Sequence, residues 1–155
     1  MQAAILLDAE QPSCVGCNPD GAEIPFEWLA FLCGATTAVS PSICSGLSAS
    51  GYSLDPSDLN VPSIAIGDLI GIQTVTRKVT NVGPAAATYN ASVSGMTGFT
   101  VAVTPSSLTI SPGETKSYTV TITRTTAPFN EYTGGQLTWT DGSHNVRIPM
   151  VVRPL

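Results

Sequence analysis

Apolar and polar positions alternate with a period of two along most of the second half of the chain, the pattern of strands with one buried face. In "YTVTITR", Tyr118, Val120 and Ile122 fall on one face and Thr119, Thr121 and Thr123 on the other. "FTVAV" aligns Phe99, Val101 and Val103, and "TYNASV" aligns Tyr89, Ala91 and Val93. "HNVRIPMVV" aligns Val146, Ile148, Met150 and Val152, with Pro149 on the opposite register, where a proline points to an edge or a bulge. "SIAI", "SLTI" and "QLTWT" read as further strands. So does "TVTRKVTNVG", Thr74 to Gly83, although its alternation breaks around Arg77 and Lys78. Turn residues separate these runs: Pro112-Gly113 suits the centre of a type II turn, and Asp141-Gly142 is a hairpin signal.

Seven or eight short strands between residues 60 and 155 predict a mainly β domain, a two-sheet antiparallel sandwich of fibronectin III or immunoglobulin type. Residues 1–59 are different and read as a connecting segment. They hold all four cysteines and one helix, predicted over about 25–33 in "IPFEWLAFLC". Pro25 suits the first helical turn and Glu27 the positive end of the helix dipole. Phe26, Leu29, Ala30 and Cys33 share a face, with Trp28, Phe31 and Leu32 beside it, and Gly34 is expected to stop the helix. The stretch from Ala35 to Asn60 has no clear period and reads as a long loop.

Charged residues make up only 11% of the 155, with Thr, Ser and Gly in their place, a composition common in extracellular β modules. Residues 1–68 carry eight carboxylates and no cation, whereas all six Lys and Arg lie in 69–155. No basic patch is interleaved with aromatics, which argues against nucleic acid as a partner. No apolar run reaches the eighteen or so residues of a membrane helix, and no membrane association is expected. The first residues, "MQAAILLDAEQPSC", lack the basic region and cleavage site of a signal peptide.

The cysteines are Cys14, Cys17, Cys33 and Cys44. A zinc ribbon needs two close pairs and only the first is close, so two disulfides fit better. Three pairings are open. Cys14–Cys17 with Cys33–Cys44 is favoured, the second tying the helix end to the following loop for roughly 3 kcal/mol. "DGSHN" places Asp141, Ser143 and His144 within four residues, but a hydrolytic triad needs its histidine between acid and hydroxyl, and neighbours in a tight turn splay apart. His144 is the sole histidine, and a hairpin turn is the expected role. Asn18, Asp20 and Glu23 in "NPDGAE" lack the spacing of an EF-hand loop. Asn90, Ala91 and Ser92 form an N-glycosylation acceptor triplet, meaningful only in a eukaryotic secretory pathway.

Several stretches in order resemble the C-terminal fibronectin III-like domain of subtilisin-like serine proteases, the subtilases. They are "FEWLAFLCG", "DLNVPSIAI", "TVTRKVTNVG", "VTPSSLTISPGETKSYTVTIT" and "GQLTWTDGSHNVRIPMVV", with Val61 where the family has tyrosine. In this resemblance Cys44 looks like the partner of Cys33, and "AILLDAE" like the connection from the protease domain. The family's catalytic motifs are Asp-Ser/Thr-Gly, His-Gly-Thr and Gly-Thr-Ser-x-Ala-x-Pro; none occurs here, so no catalytic residue carries over. The resemblance implies a non-catalytic accessory domain of a secreted protease that needs no cofactor. It would pack on and stabilise the catalytic domain of its own parent chain, with Trp28 and Phe31 as interface residues. A second expectation is an adhesion or substrate-recognition module using Phe129 and Tyr132, the pair that lies off the apolar registers.

Overall fold

The computed structural model describes residues 5–7 and 25–155. The chain divides into two units, Met1–Asp8 with Val61–Leu155, and Ala9–Asn60.

The first unit is a β-sandwich. One sheet orders its strands β1 (Ile5–Leu7), β3 (Ile72–Asn81), β7 (Thr115–Arg124) and β5 (Phe99–Thr104). The other runs β2 (Ile64–Leu69), β9 (Asn145–Pro154), β8 (Thr133–Thr140), β4 (Ala87–Gly95) and β6 (Ser107–Ile110). All eight strands expected after residue 60 are present. The pairing is antiparallel except between β2 and β9, which run parallel with Ile64 opposite Met150. A composition-based boundary at 59/60 leaves Ile5–Leu7 in the connecting segment, whereas the structure pairs it with β3, Ile5 opposite Asn81. Pro149 is also not on an edge strand, because β9 lies between β2 and β8. Its missing N–H is tolerated one residue before the stretch that pairs with β2 begins, at Met150.

The core between the sheets follows the alternation. Val75, Val79, Tyr118, Val120 and Ile122 from one sheet meet Tyr89, Leu108, Leu137, Trp139, Ile148 and Val152 from the other, all buried. Tyr118 and Trp139 meet edge to face with ring centroids 5.0 Å apart, a geometry that adds to their area burial. Burial pushes the Tyr118 phenol up to about 12, opposed by the Trp139 indole and the Arg77 charge.

The alternation of β3 does not in fact break. Val75, Arg77, Val79 and Asn81 all occupy inward positions and all are buried. Arg77 is accommodated because its guanidinium donates to Thr76 O at 2.9 Å and to Ser63 O at 3.0 Å, just ahead of β2 in the opposite sheet. Asn81 reaches further. Its amide nitrogen donates to Ile110 O in β6 and to Ala85 O, both at 2.9 Å, and its oxygen accepts from Gly83 N at 2.8 Å. Its backbone holds the 111–114 turn through Gly113 N to Asn81 O and Asn81 N to Glu114 O. Asn81 therefore joins one sheet to the other and two turns to both.

The described part of the second unit is helical. Its first helix, α1, spans Phe26–Ala35 and starts after Pro25, which is its cap residue. Gly34 does not stop it. Glycine stands there for space instead, since a Cβ would collide with the Leu54 carbonyl and the Pro56 ring. Thr36 closes the helix, its N–H and hydroxyl both donating to Leu32 O at 3.0 Å. The stretch expected as a loop contains a second helix, α2 (Pro41–Ala49), with Pro41 at its start, and a 3-10 turn at Pro56–Asp58 that Asp55 caps. Ile43 and Leu47 are the only large aliphatics in α2 and Ile43 is exposed, so the helix leaves no periodic trace. A disulfide joins Cys33 of α1 to Cys44 of α2. Cys14 and Cys17 lie outside the described residues.

Two outcomes are expected. Asn81→Ala removes three hydrogen bonds and strands one fully buried acceptor, Ile110 O, and the midpoint of urea unfolding should report a loss of about 2 kcal/mol; a loss below about 1 kcal/mol would mean these bonds do not hold the sheets together. Replacing Cys33 and Cys44 by serine opens a loop of sequence separation 11, for an expected ~3 kcal/mol in the chain-entropy picture. Amide exchange at Ala30 and Leu47 reads it, and unchanged exchange would show that the helices do not need the bond.

Candidate functional site

The described residues offer three groupings that chemistry or recognition could use. The first is the hairpin Asp141–His144. One carboxylate oxygen of Asp141 accepts from Ser143 N at 2.8 Å and His144 N at 2.6 Å, and the other meets His144 Nδ1 at 2.8 Å. The His144 ring and backbone, followed by the Ser143 N–H, hold the Asp141 carboxyl well below the usual carboxylate range. The Tyr89 phenol is raised, first by burial and then by the Asp141 charge. Ser143 contributes its backbone N–H to Asp141, so acid, imidazole and hydroxyl are not arranged in series. This is a turn locked by an aspartate, with no nucleophile activated.

The second grouping is on α1, where Trp28 and Phe31 meet edge to face at 5.8 Å. Trp28 is 48% exposed and Phe31 half-buried, while Ala30 on the other side of the helix is buried. The helix thus keeps its small face inward and shows its largest aromatic to solvent.

The third is at one end of the sandwich. Phe129 and Tyr132, in the β7–β8 loop, are 55% and 64% exposed. The Arg124 guanidinium lies over the Phe129 ring at 3.6 Å, and that of Arg153 over Tyr132 at 5.4 Å. Arg153 also donates to Gly67 O and pairs with Asp68, both at 2.7 Å. Sequence reasoning found the two aromatics but not Ile70, in the β2–β3 turn, or Ile72, at the start of β3, which belong to no motif; they are 81% and 61% exposed.

No cluster of three or more His, Cys, Asp or Glu suited to a metal occurs among the described residues. With Cys33 and Cys44 bonded to each other, neither is available as a zinc ligand. Asn18, Asp20 and Glu23 lie outside the described residues. None of the described helices is long and apolar enough to cross a membrane.

Comparison with known proteins follows the sandwich. The family model of the fibronectin type-III domain matches residues 58–152. The subtilisin-like protease SBT3.9 of Arabidopsis thaliana is 48% identical over 97 residues, which cover 62% of this chain and 13% of that protein. SBT2.5 of the same plant is 36% identical over 129 residues, 81% of this chain and 16% of that protein. The chain thus spans only about one seventh of the relatives' length. Among solved structures, the Pseudomonas aeruginosa CupB2 chaperone superposes with a TM-score of 0.51 at 14% identity, covering 61% of this chain and 53% of that one. A family 123 glycoside hydrolase from Clostridium perfringens reaches 0.50 at 11% identity, covering 63% and 23%. These two share the fold alone. The chain belongs to the fibronectin type-III domain family, and the members it resembles are those of subtilisin-like proteases.

Proposed function

We propose that this chain is a non-catalytic accessory domain of a secreted subtilisin-like serine protease, and that it packs on and stabilises the catalytic domain of its parent chain. The observation that carries this reading is the 48% identity over 97 residues to a subtilisin-like protease, confined to 13% of that protein's length. The match falls on a sandwich whose Asp141, Ser143 and His144 are consumed by a turn. Secretion is supported by the Cys33–Cys44 bond, since structural disulfides persist in oxidising compartments. Packing is supported by the exposed Trp28 edge of α1, a surface of the kind that domain interfaces cover. Serine endopeptidase activity belongs, in this reading, to the remainder of the parent protein.

The test is to melt the parent protease with and without this domain. Deletion is expected to lower the melting temperature of the catalytic portion by about 5 °C or more, equivalent to roughly 1–2 kcal/mol for a domain of that size. Equal melting temperatures with equal activity would remove the stabilising role.

A further inference from the structure

Three segments converge at the end of the sandwich that carries Phe129 and Tyr132. Arg124 N donates to Gly71 O at 2.8 Å, Leu155 N to Leu69 O at 3.1 Å, and Asn130 N to Pro154 O at 2.8 Å. These bonds bring the β2–β3 turn, the β7–β8 loop and the last residues to one place. The side chains displayed there are apolar: Ile70, Ile72, Phe129, Tyr132 and Leu155, the last 48% exposed.

The loop that presents the aromatics is braced. Thr125, Thr126 and Ala127 N–H all donate to the single carbonyl of Gly98, at 2.9, 3.1 and 3.1 Å. Gly98 has φ +81°, and a Cβ there would collide with the backbone of Ala127, so only glycine lets the two loops close to this distance. Arg124 Nε donates to Ala127 O at 2.8 Å while its guanidinium covers Phe129. Ordering costs have thus been met before any partner arrives, which favours binding.

We infer that this end of the sandwich is a protein-docking surface, occupied by the remainder of the parent protease. The inference rests on the accessory-domain reading and adds to it a specific surface on the sandwich. The residue types are those of a protein interface, aromatic rings and arginines among exposed aliphatics. A sugar platform would need open ring faces, and here guanidiniums lie over both aromatics. Two isoleucines and a leucine add nothing to sugar stacking but do add buried area against protein. The protease relatives extend over about seven times the length matched here. A partner tethered in the same chain meets the surface at millimolar effective concentration, which favours it over a second copy in dilute solution.

The experiment compares surface labelling of Phe129 and Tyr132 in the intact parent protease with labelling of this chain alone. Several-fold protection in the intact protein is expected. In parallel, Ile72→Asp with Phe129→Asp in the intact protein should lower the melting temperature of the catalytic portion as far as deleting the domain does. The same pair in this chain alone, measured by its urea midpoint, checks that the sandwich itself is unharmed; if it is harmed, labelling of the unmutated protein decides. Equal labelling in both contexts overturns the inference. If deletion still destabilises the protease in that case, the accessory role stands without this surface. Protection without any effect of deletion would keep the contact and remove the stabilising role. Retention on an insoluble polysaccharide, or dimerisation, that disappears with Phe129→Ala and Tyr132→Ala while labelling is equal would assign the surface to another occupant and overturn the inference.

Discussion

The sandwich depends on two polar side chains that β3 sends into its core. A fibronectin-type sandwich is two sheets pressed together by apolar contact, and such contact is non-directional. Arg77 and Asn81 add direction. The guanidinium bonds to Ser63 O, at the entrance to β2, and the Asn81 amide bonds to Ile110 O, at the end of β6. Both acceptors belong to the opposite side of the sandwich, at the two outer strands of its five-stranded sheet. A slip of one residue in β3 would move both groups to solvent and bring Thr76 and Thr80 inside. A buried amide with its partners in place makes such slips costly in a way that Val75 and Val79 alone do not.

How much of this was legible follows from what each element uses to hold itself. The strands with aromatic or β-branched residues at every second position, such as β7 with Tyr118, Val120 and Ile122, declare themselves because their pattern is their packing. In β3 the same reasoning misread Arg77, because a charged residue is rarely inside unless paired, and its partners are carbonyls remote in sequence. The parallel pairing of β2 with β9 was invisible for a related reason. Ile64 and Met150 are far apart along the chain, and local pattern carries no information on which strand lies beside which. The helix α2 was missed because Leu47 is its one buried residue and Ser, Gly and Ala fill most of the rest. Ile70 and Ile72 fall between the runs that alternate and carry no signal of their own, and their exposure emerges only once the turn at Gly71 is placed.

The two units differ in how self-sufficient they are. The sandwich buries a continuous set of large side chains, with Trp139, Tyr89 and Tyr118 at its centre. Among the described residues of the helical unit only Ala30 and Leu47 are fully buried hydrophobics. Two such residues supply little of the burial that ordering two helices requires. The Cys33–Cys44 bond offsets part of that deficit by restricting the unfolded chain. Close backbone approach at Gly34 and the contact of Phe26 with Tyr52, ring centroids 5.7 Å apart, supply more.

What remains is the large aromatic that the helical unit does not use. A tryptophan among described residues with so few buried side chains would ordinarily be drawn inward, where it could contribute far more than Ala30 does. Trp28 instead stands nearly half exposed, its ring turned against Phe31. The arrangement is inefficient for a free-standing unit and reasonable for one whose outer face is completed by another body. The exposed aromatics of the sandwich show the same economy in a different form: Phe129 and Tyr132 are held by guanidiniums and kept at the surface by a braced loop. Both units withhold aromatic surface from their own cores, and a domain that functions by docking has a physical reason to do so.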